Sequence, residues 1–144
     1  MSLAKAFAVA AYGESVAAYR YRSLVEKAPS DNVRKVFAEM AVEEQEHHVR
    51  IQDHQKKQFP ESDFVLTPED KDLVIVGPRL LDVSDAAATQ RAMDFIYESE
   101  RLTGSFYAAL HDVTTAEELK PMLREMADEC FEHAGRLKAI RWEE

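Results

Sequence analysis

Apolar residues return at every third or fourth position along four long stretches of this chain, the spacing that lines one face of an α-helix. The first stretch predicts a helix from about Leu3 to Ala28, with Phe7, Ala10, Ala17, Tyr21, Leu24 and Ala28 on its stripe. Pro29-Ser30-Asp31 stops it, and Ser30 or Asp31 offers a side-chain oxygen to the unpaired N–H groups that open the next helix. That second helix runs to about Phe59, just before Pro60, on a stripe of Val33, Phe37, Met40, Glu44, His47 and Ile51. A polar connector of about residues 60–84 follows, broken by Pro68, Gly77 and Pro78. Its apolar run Leu73-Val74-Ile75-Val76 reads as a short strand, a helical turn or a partner contact. Asp85 or Ser84 caps a third helix to about Asp112, with Ala86, Met93, Ile96, Glu100, Tyr107 and Leu110 on its stripe. Thr114-Thr115 are expected to cap a fourth helix, with Glu117 and Glu118 near the positive end of its dipole. Its stripe is Leu119, Met122, Met126, Cys130, His133, Leu137 and Ile140, and Pro121 sits early enough to be tolerated.

Short loops join the first helix to the second and the third to the fourth, which makes each pair antiparallel neighbours. The connector is long enough to cross from one end of the molecule to the other. The expected fold is therefore all-α, a four-helix bundle of two antiparallel hairpins joined by one long crossover. A simple up-down-up-down bundle has no need of so long a connector.

What interrupts each apolar stripe carries the chemistry. Glu14 stands in the first stripe, Glu44 and His47 in the second, Glu100 in the third and His133 in the fourth. A buried carboxylate is costly unless it is paired or bound to a cation, so ionisable residues in all four stripes point to one shared site. Their distances from the two turns put them at one height. Glu14 and Glu44 each lie about 15 residues from Pro29, and Glu100 and Glu129 stand about as far from Thr114. An internal repeat supports the same register. Adding 86 turns Glu14 into Glu100, Tyr21 into Tyr107, Glu43 into Glu129, Glu46 into Glu132 and His47 into His133. One position breaks the symmetry, because Glu44 maps onto Cys130.

A pair of divalent transition metals suits this set. Carboxylates bridge two cations and offset their charge, and imidazole suits iron, manganese or zinc. Di-iron carboxylate bundles use one Glu from each of two helices and Glu-x-x-His from each of the others. Here Glu44-Gln45-Glu46-His47 is complete, whereas the second copy reads Cys130-Phe131-Glu132-His133. Each of these residues also has a plainer reading. A core-edge Glu can be satisfied by Arg or Tyr, and a His or free Cys can simply be core. His48 and His54 read as rim residues, and Glu43, Glu46, Glu98 and Glu132 as solvated. Tyr21 and Tyr107 read as packing, the methionines as core filler, and Arg20, Arg22 and Lys27 as a solvated face.

Four motifs, Y-G-E-S-V-A-A-Y-R-Y around Glu14, E-E-Q-E-H-H around His47, E-S-E-R-L-T-G-S-F-Y around Glu100 and M-A-D-E-C-F-E-H around His133, span nearly all of the chain outside the connector. In these the sequence resembles the rubrerythrin family of the ferritin-like superfamily. The resemblance implies a ferritin-like bundle in which Glu14, Glu44, His47 and Glu100 are metal ligands, with His133 from the incomplete copy. It also implies a hydrogen bond from a stripe tyrosine to a ligand carboxylate. The family's fourth-helix Glu falls on Cys130, which leaves three outcomes. Glu129 rotates in as the ligand, the thiolate binds metal, or the second metal position is weak or lost.

Composition narrows the alternatives. The 144 residues suit one domain spanning the chain, and 46% hydrophobic with 31% charged residues is globular composition. A net charge of −9 without a basic cluster argues against nucleic acid as a partner. No stretch is apolar enough for a membrane span and no signal-peptide pattern opens the chain, so the cytoplasm is the expected location. A single cysteine excludes disulfides and Cys₂ or Cys₄ metal sites built from this chain alone. The leading expectation is a non-haem protein with two iron ions, manganese or zinc being alternatives, that reduces peroxide or O₂. Rubrerythrins carry a rubredoxin-like domain with paired Cys-x-x-Cys motifs, absent here, so a separate electron donor is expected. Iron storage and a metal-poor bundle acting as an interaction protein are the alternatives, and a homodimer is the expected assembly.

Overall fold

A computed structural model of the chain describes residues 1–61 and 63–143; Ser62, within the connector, and Glu144 lie outside the described residues. Four long helices carry the fold: α1 (Leu3–Lys27), α2 (Asp31–Gln58), α4 (Ala86–Val113) and α5 (Lys120–Ala139). A short α3 (Pro68–Asp72) lies in the connector and a 3₁₀ turn (Glu117–Leu119) precedes α5, with no strand among the described residues. α1 packs along α2 and α4 along α5, and the two hairpins meet through α1 and α4, giving the ferritin-like bundle.

Local chemistry sets most helix ends. The Ser30 hydroxyl accepts from Val33 N at 3.3 Å to open α2, and Asp85 Oδ1 accepts from Ala88 N at 2.8 Å to open α4. The fourth helix starts differently from expectation. Thr114 Oγ1 accepts from Ala116 N at 3.1 Å within the loop, and no side chain caps α5. The 3₁₀ turn feeds straight into α5, so Pro121 sits in its first turn, where a missing N–H leaves no bond unmade.

The stripe of α2 is buried as expected, and that of α5 is buried from Leu119 through Leu137. In α4, Ala86 is exposed, whereas Ala88, Thr89, Ala92, Ser99, Thr103 and Gly104 are buried. Two apolar clusters fill the ends of the bundle. One is built on Phe7, Ile51, Tyr107, Leu119, Leu123 and Met126, the other on Tyr21, Leu24, Phe37, Met40, Ile96 and Leu137.

The connector closes over the seam between α1 and α4. Its apolar run is a turn after α3 followed by extended chain, and Val74 is wholly buried. A Cβ at Gly13 would stand 3.1 Å from Val74 Cβ, so the missing side chain lets the connector settle onto α1. Thr103 Oγ1 donates to Val74 O at 3.2 Å, and Val76 N donates to Ser99 Oγ at 2.9 Å. Arg20 is the main latch. Its NH2 donates to Val76 O and Pro78 O, both at 2.7 Å, and its NH1 to Ser99 Oγ at 3.1 Å. Arg20 is 1% exposed, so it does not belong to the solvated face expected for it. The reason is that α1 is covered by α2, α4 and the connector together, which buries more than one stripe. Lys27, exposed on the same helix, still donates to Leu81 O at 3.1 Å.

Candidate metal centre

The four interrupted stripes converge midway along the bundle, between the two apolar clusters. Glu14, Glu44, His47, Glu100 and His133 are all 4% exposed or less. Their ligand atoms form two groups, Glu14–Glu44–His47 and Glu44–Glu100–His133, each with all its atoms within 4.8 Å of one another. Glu44 belongs to both. Each histidine turns Nδ1 inward. His47 Nδ1 lies 3.5 Å from Glu14 Oε2 and 3.6 Å from Glu44 Oε2. His133 Nδ1 lies 2.7 Å from Glu44 Oε1 and 3.6 Å from Glu100 Oε1. The two imidazoles stack with centroids 5.9 Å apart and planes inclined at 19°.

The internal repeat appears in space as a pseudo-twofold arrangement in which each half supports the other half's ligands. The Tyr21 hydroxyl of α1 donates to Glu100 Oε1 of α4 at 2.6 Å, and the Tyr107 hydroxyl of α4 donates to Glu14 Oε1 of α1 at 2.9 Å. Burial and the adjacent carboxylates push both phenols well above their ordinary range, so they remain donors. Behind the imidazoles the pattern repeats. Glu129 of α5 contacts His47 Nε2, and Glu43 of α2 contacts His133 Nε2. A carboxylate behind a histidine fixes its tautomer and makes the inward nitrogen a better ligand.

These positions bear on two sequence readings. Glu129 is about one-third exposed, stands behind His47 and belongs to neither ligand group in this structure. Glu43 is held by His133 and by the Arg136 guanidinium at 3.1 Å rather than left to solvent. The repeat itself held the missed signal, since Glu43 and Glu129 are equivalent and each precedes its histidine by four residues. The same offset relates Arg50 to Arg136 and Glu39 to Glu125. Their ion pairs, Arg50–Glu125 at 3.1 Å and Arg136–Glu39 at 3.0 Å, join α2 to α5 on either side of the cluster.

Cys130 is 1% exposed among the carboxylates, and burial together with the charges of Glu14, Glu100 and Glu44 pushes its thiol well up. Its sulfur joins neither ligand group.

Electrostatics shows what the cluster lacks. Burial and the charges of Glu100 and Glu14 push Glu44 well above the carboxylate range. Burial alone would lower both histidines, but Glu14 and Glu44 raise His47 to about 11, and Glu100 and Glu44 raise His133 to about 11. The metal-free cluster thus holds protons where cations would offset its carboxylates. Glu44 Oε2 and His47 Nδ1 are buried without a hydrogen-bond partner. Buried polar atoms left without partners, and a ligand set of carboxylates and imidazoles, fit divalent transition metals.

Comparisons with known proteins support the family and the fold. A family model described as Rubrerythrin matches residues 5–85. A solved structure of a hypothetical protein from Pyrococcus furiosus superposes with a TM-score of 0.78 and 26% identity, covering 96% of this chain and 87% of that one. No curated protein matches the chain.

Proposed function

Because this chain belongs to the rubrerythrin family, we propose that it binds two iron ions between its four long helices and uses them to reduce peroxide. The observation that carries this reading is the pair of buried ligand groups sharing Glu44. Glu14, Glu44 and His47 would hold one ion, and Glu44, Glu100 and His133 the other. When bound, a ferrous pair supplies the two electrons that, with two protons, convert hydrogen peroxide to two waters; O₂ is a less productive oxidant for the same electrons.

The chain's own groups prepare that site. Tyr21 orients Glu100 and Tyr107 orients Glu14, each from the opposite hairpin. Glu43 and Glu129 hold the imidazoles with Nδ1 inward. The apolar clusters exclude water from both ends. With one cysteine in these 144 residues, the electrons come from a redox centre outside them. No helix among the described residues is long and apolar enough to cross a membrane.

The test is metal per chain by elemental analysis, on untagged protein reconstituted anaerobically with ferrous iron, with Glu44→Ala beside it. Two irons per chain, lost in the variant, are expected, followed by oxidation on adding peroxide. One iron would confine the site to a single ion and remove two-electron chemistry by a metal pair. No metal above the variant's level would overturn the reading.

A further inference from the structure

The buried cluster is closed on most sides. Apolar clusters plug both ends of the bundle, and the connector covers the α1–α4 seam, leaving room for only about 10 Å³ beside Glu14, Glu44 and Glu100. The α2–α5 seam is different. Long ion-paired side chains cross it, and among them lies a cavity of about 270 Å³. Its lining includes five carboxylates, Glu43, Glu46, Glu125, Glu129 and Glu132, against one guanidinium, that of Arg50, which is already paired with Glu125. Glu46 and Glu132 are exposed, related by the repeat, and take part in no ion pair or side-chain hydrogen bond among the described residues. Its inner wall is His47 and His133 themselves. His47 is 4% exposed, with Nε2 against Glu129 of the bay and Nδ1 among the buried carboxylates, so one side chain joins the cavity to the cluster.

We propose that this acidic bay is the route by which divalent cations reach the buried ligands. The proposal rests on the metal-binding reading and adds the direction of entry. Glu46 and Glu132 capture a hydrated cation at the rim. Glu43 and Glu129, each in contact with an outward Nε2, stand between the rim and the imidazoles whose Nδ1 atoms belong to the two ligand groups. Arg50 pairs with Glu125 and Arg136 with Glu43, so the acidic excess lies at the rim on Glu46 and Glu132, where it concentrates cations and accelerates their arrival, an effect that salt suppresses.

The test is the rate of Co²⁺ loading into metal-free protein, followed by stopped-flow absorbance at low and high salt. Glu46→Gln/Glu132→Gln is compared with Glu26→Gln/Glu98→Gln, which removes the same charge from exposed positions outside the bay. The bay variant is expected to load about ten-fold more slowly at low salt and to lose most of the salt dependence of the wild type, while still binding Co²⁺ at saturation. The control variant is expected to load at close to the wild-type rate. Equal slowing in both variants would mean that net charge alone matters, and unchanged loading in the bay variant would mean entry elsewhere; either overturns the route and leaves the metal site standing. Failure of the wild type to bind Co²⁺ would overturn the site and the route together.

Discussion

Cys130 is the residue at which the two halves of the site part company. Its counterpart Glu44 is shared by both ligand groups, so a carboxylate in its place would be a second shared ligand. With Cys130 there, the three buried carboxylates Glu14, Glu44 and Glu100 would face the two divalent cations of the proposed site. Cys130→Glu should act with opposite sign in the two states. Without metal, an additional buried carboxylate is uncompensated and should cost about 3 kcal/mol of stability. With metal it offsets cation charge, and the second ion should bind about ten-fold or more tightly. Chemical denaturation in chelator and an equilibrium metal titration check the two halves. A variant no less stable than wild type without metal and no tighter with it would show that position 130 does not face the cations.

Among the elements, the connector depends most on one side chain. Arg20 is buried on α1 and satisfies two connector carbonyls, at Val76 and Pro78, that no helix or sheet can satisfy. A buried backbone carbonyl left unpaired costs about 1–3 kcal/mol. Val76 is half-buried and Pro78 exposed, so water takes up part of what is lost, and Arg20→Met should destabilise the protein by about 2 kcal/mol and free the connector before the bundle unfolds. Hydrogen exchange at Val76, whose N–H is held by Ser99, should speed up while amides in the middle of α2 keep their protection. Uniform loss of protection across both would mean that the connector and bundle unfold as one unit.

For the molecule as a whole, the metal-free cluster makes stability depend on pH. The folded values of His47 and His133 lie at about 11, above the 6.5 of an unfolded histidine. Glu44 is also raised above its free value. Groups whose folded pKa is raised stabilise fully below their unfolded pKa and lose that contribution as pH rises through the folded one. In chelator, stability should therefore fall from pH 6 to pH 9, with urea midpoints as the measurement. Metal must displace the same protons, so apparent metal affinity should rise over this range. A midpoint that is flat or climbs over that window would show that the histidines are neutral in the metal-free fold.

The chain's linear pattern determined the helices, their pairing and which buried ionisable residues meet midway along the bundle, because each of those depends on spacing along one helix. Ser30 and Asp85 announced their caps, and the repeat placed Glu14, Glu44, His47, Glu100 and His133 at one height. Tertiary structure alone decided what depends on a second element. Arg20 looks like a surface residue until the connector lies over it, and the apolar run at 73–76 finds its place only against Gly13 and Thr103. Glu129 could have entered the cluster or stayed outside on sequence grounds. The angle at which α5 faces α2 sets it behind His47, matched by Glu43 behind His133. Periodicity states which face of a helix is buried, but the partner that each buried group meets follows from how four helices and a connector pack in three dimensions.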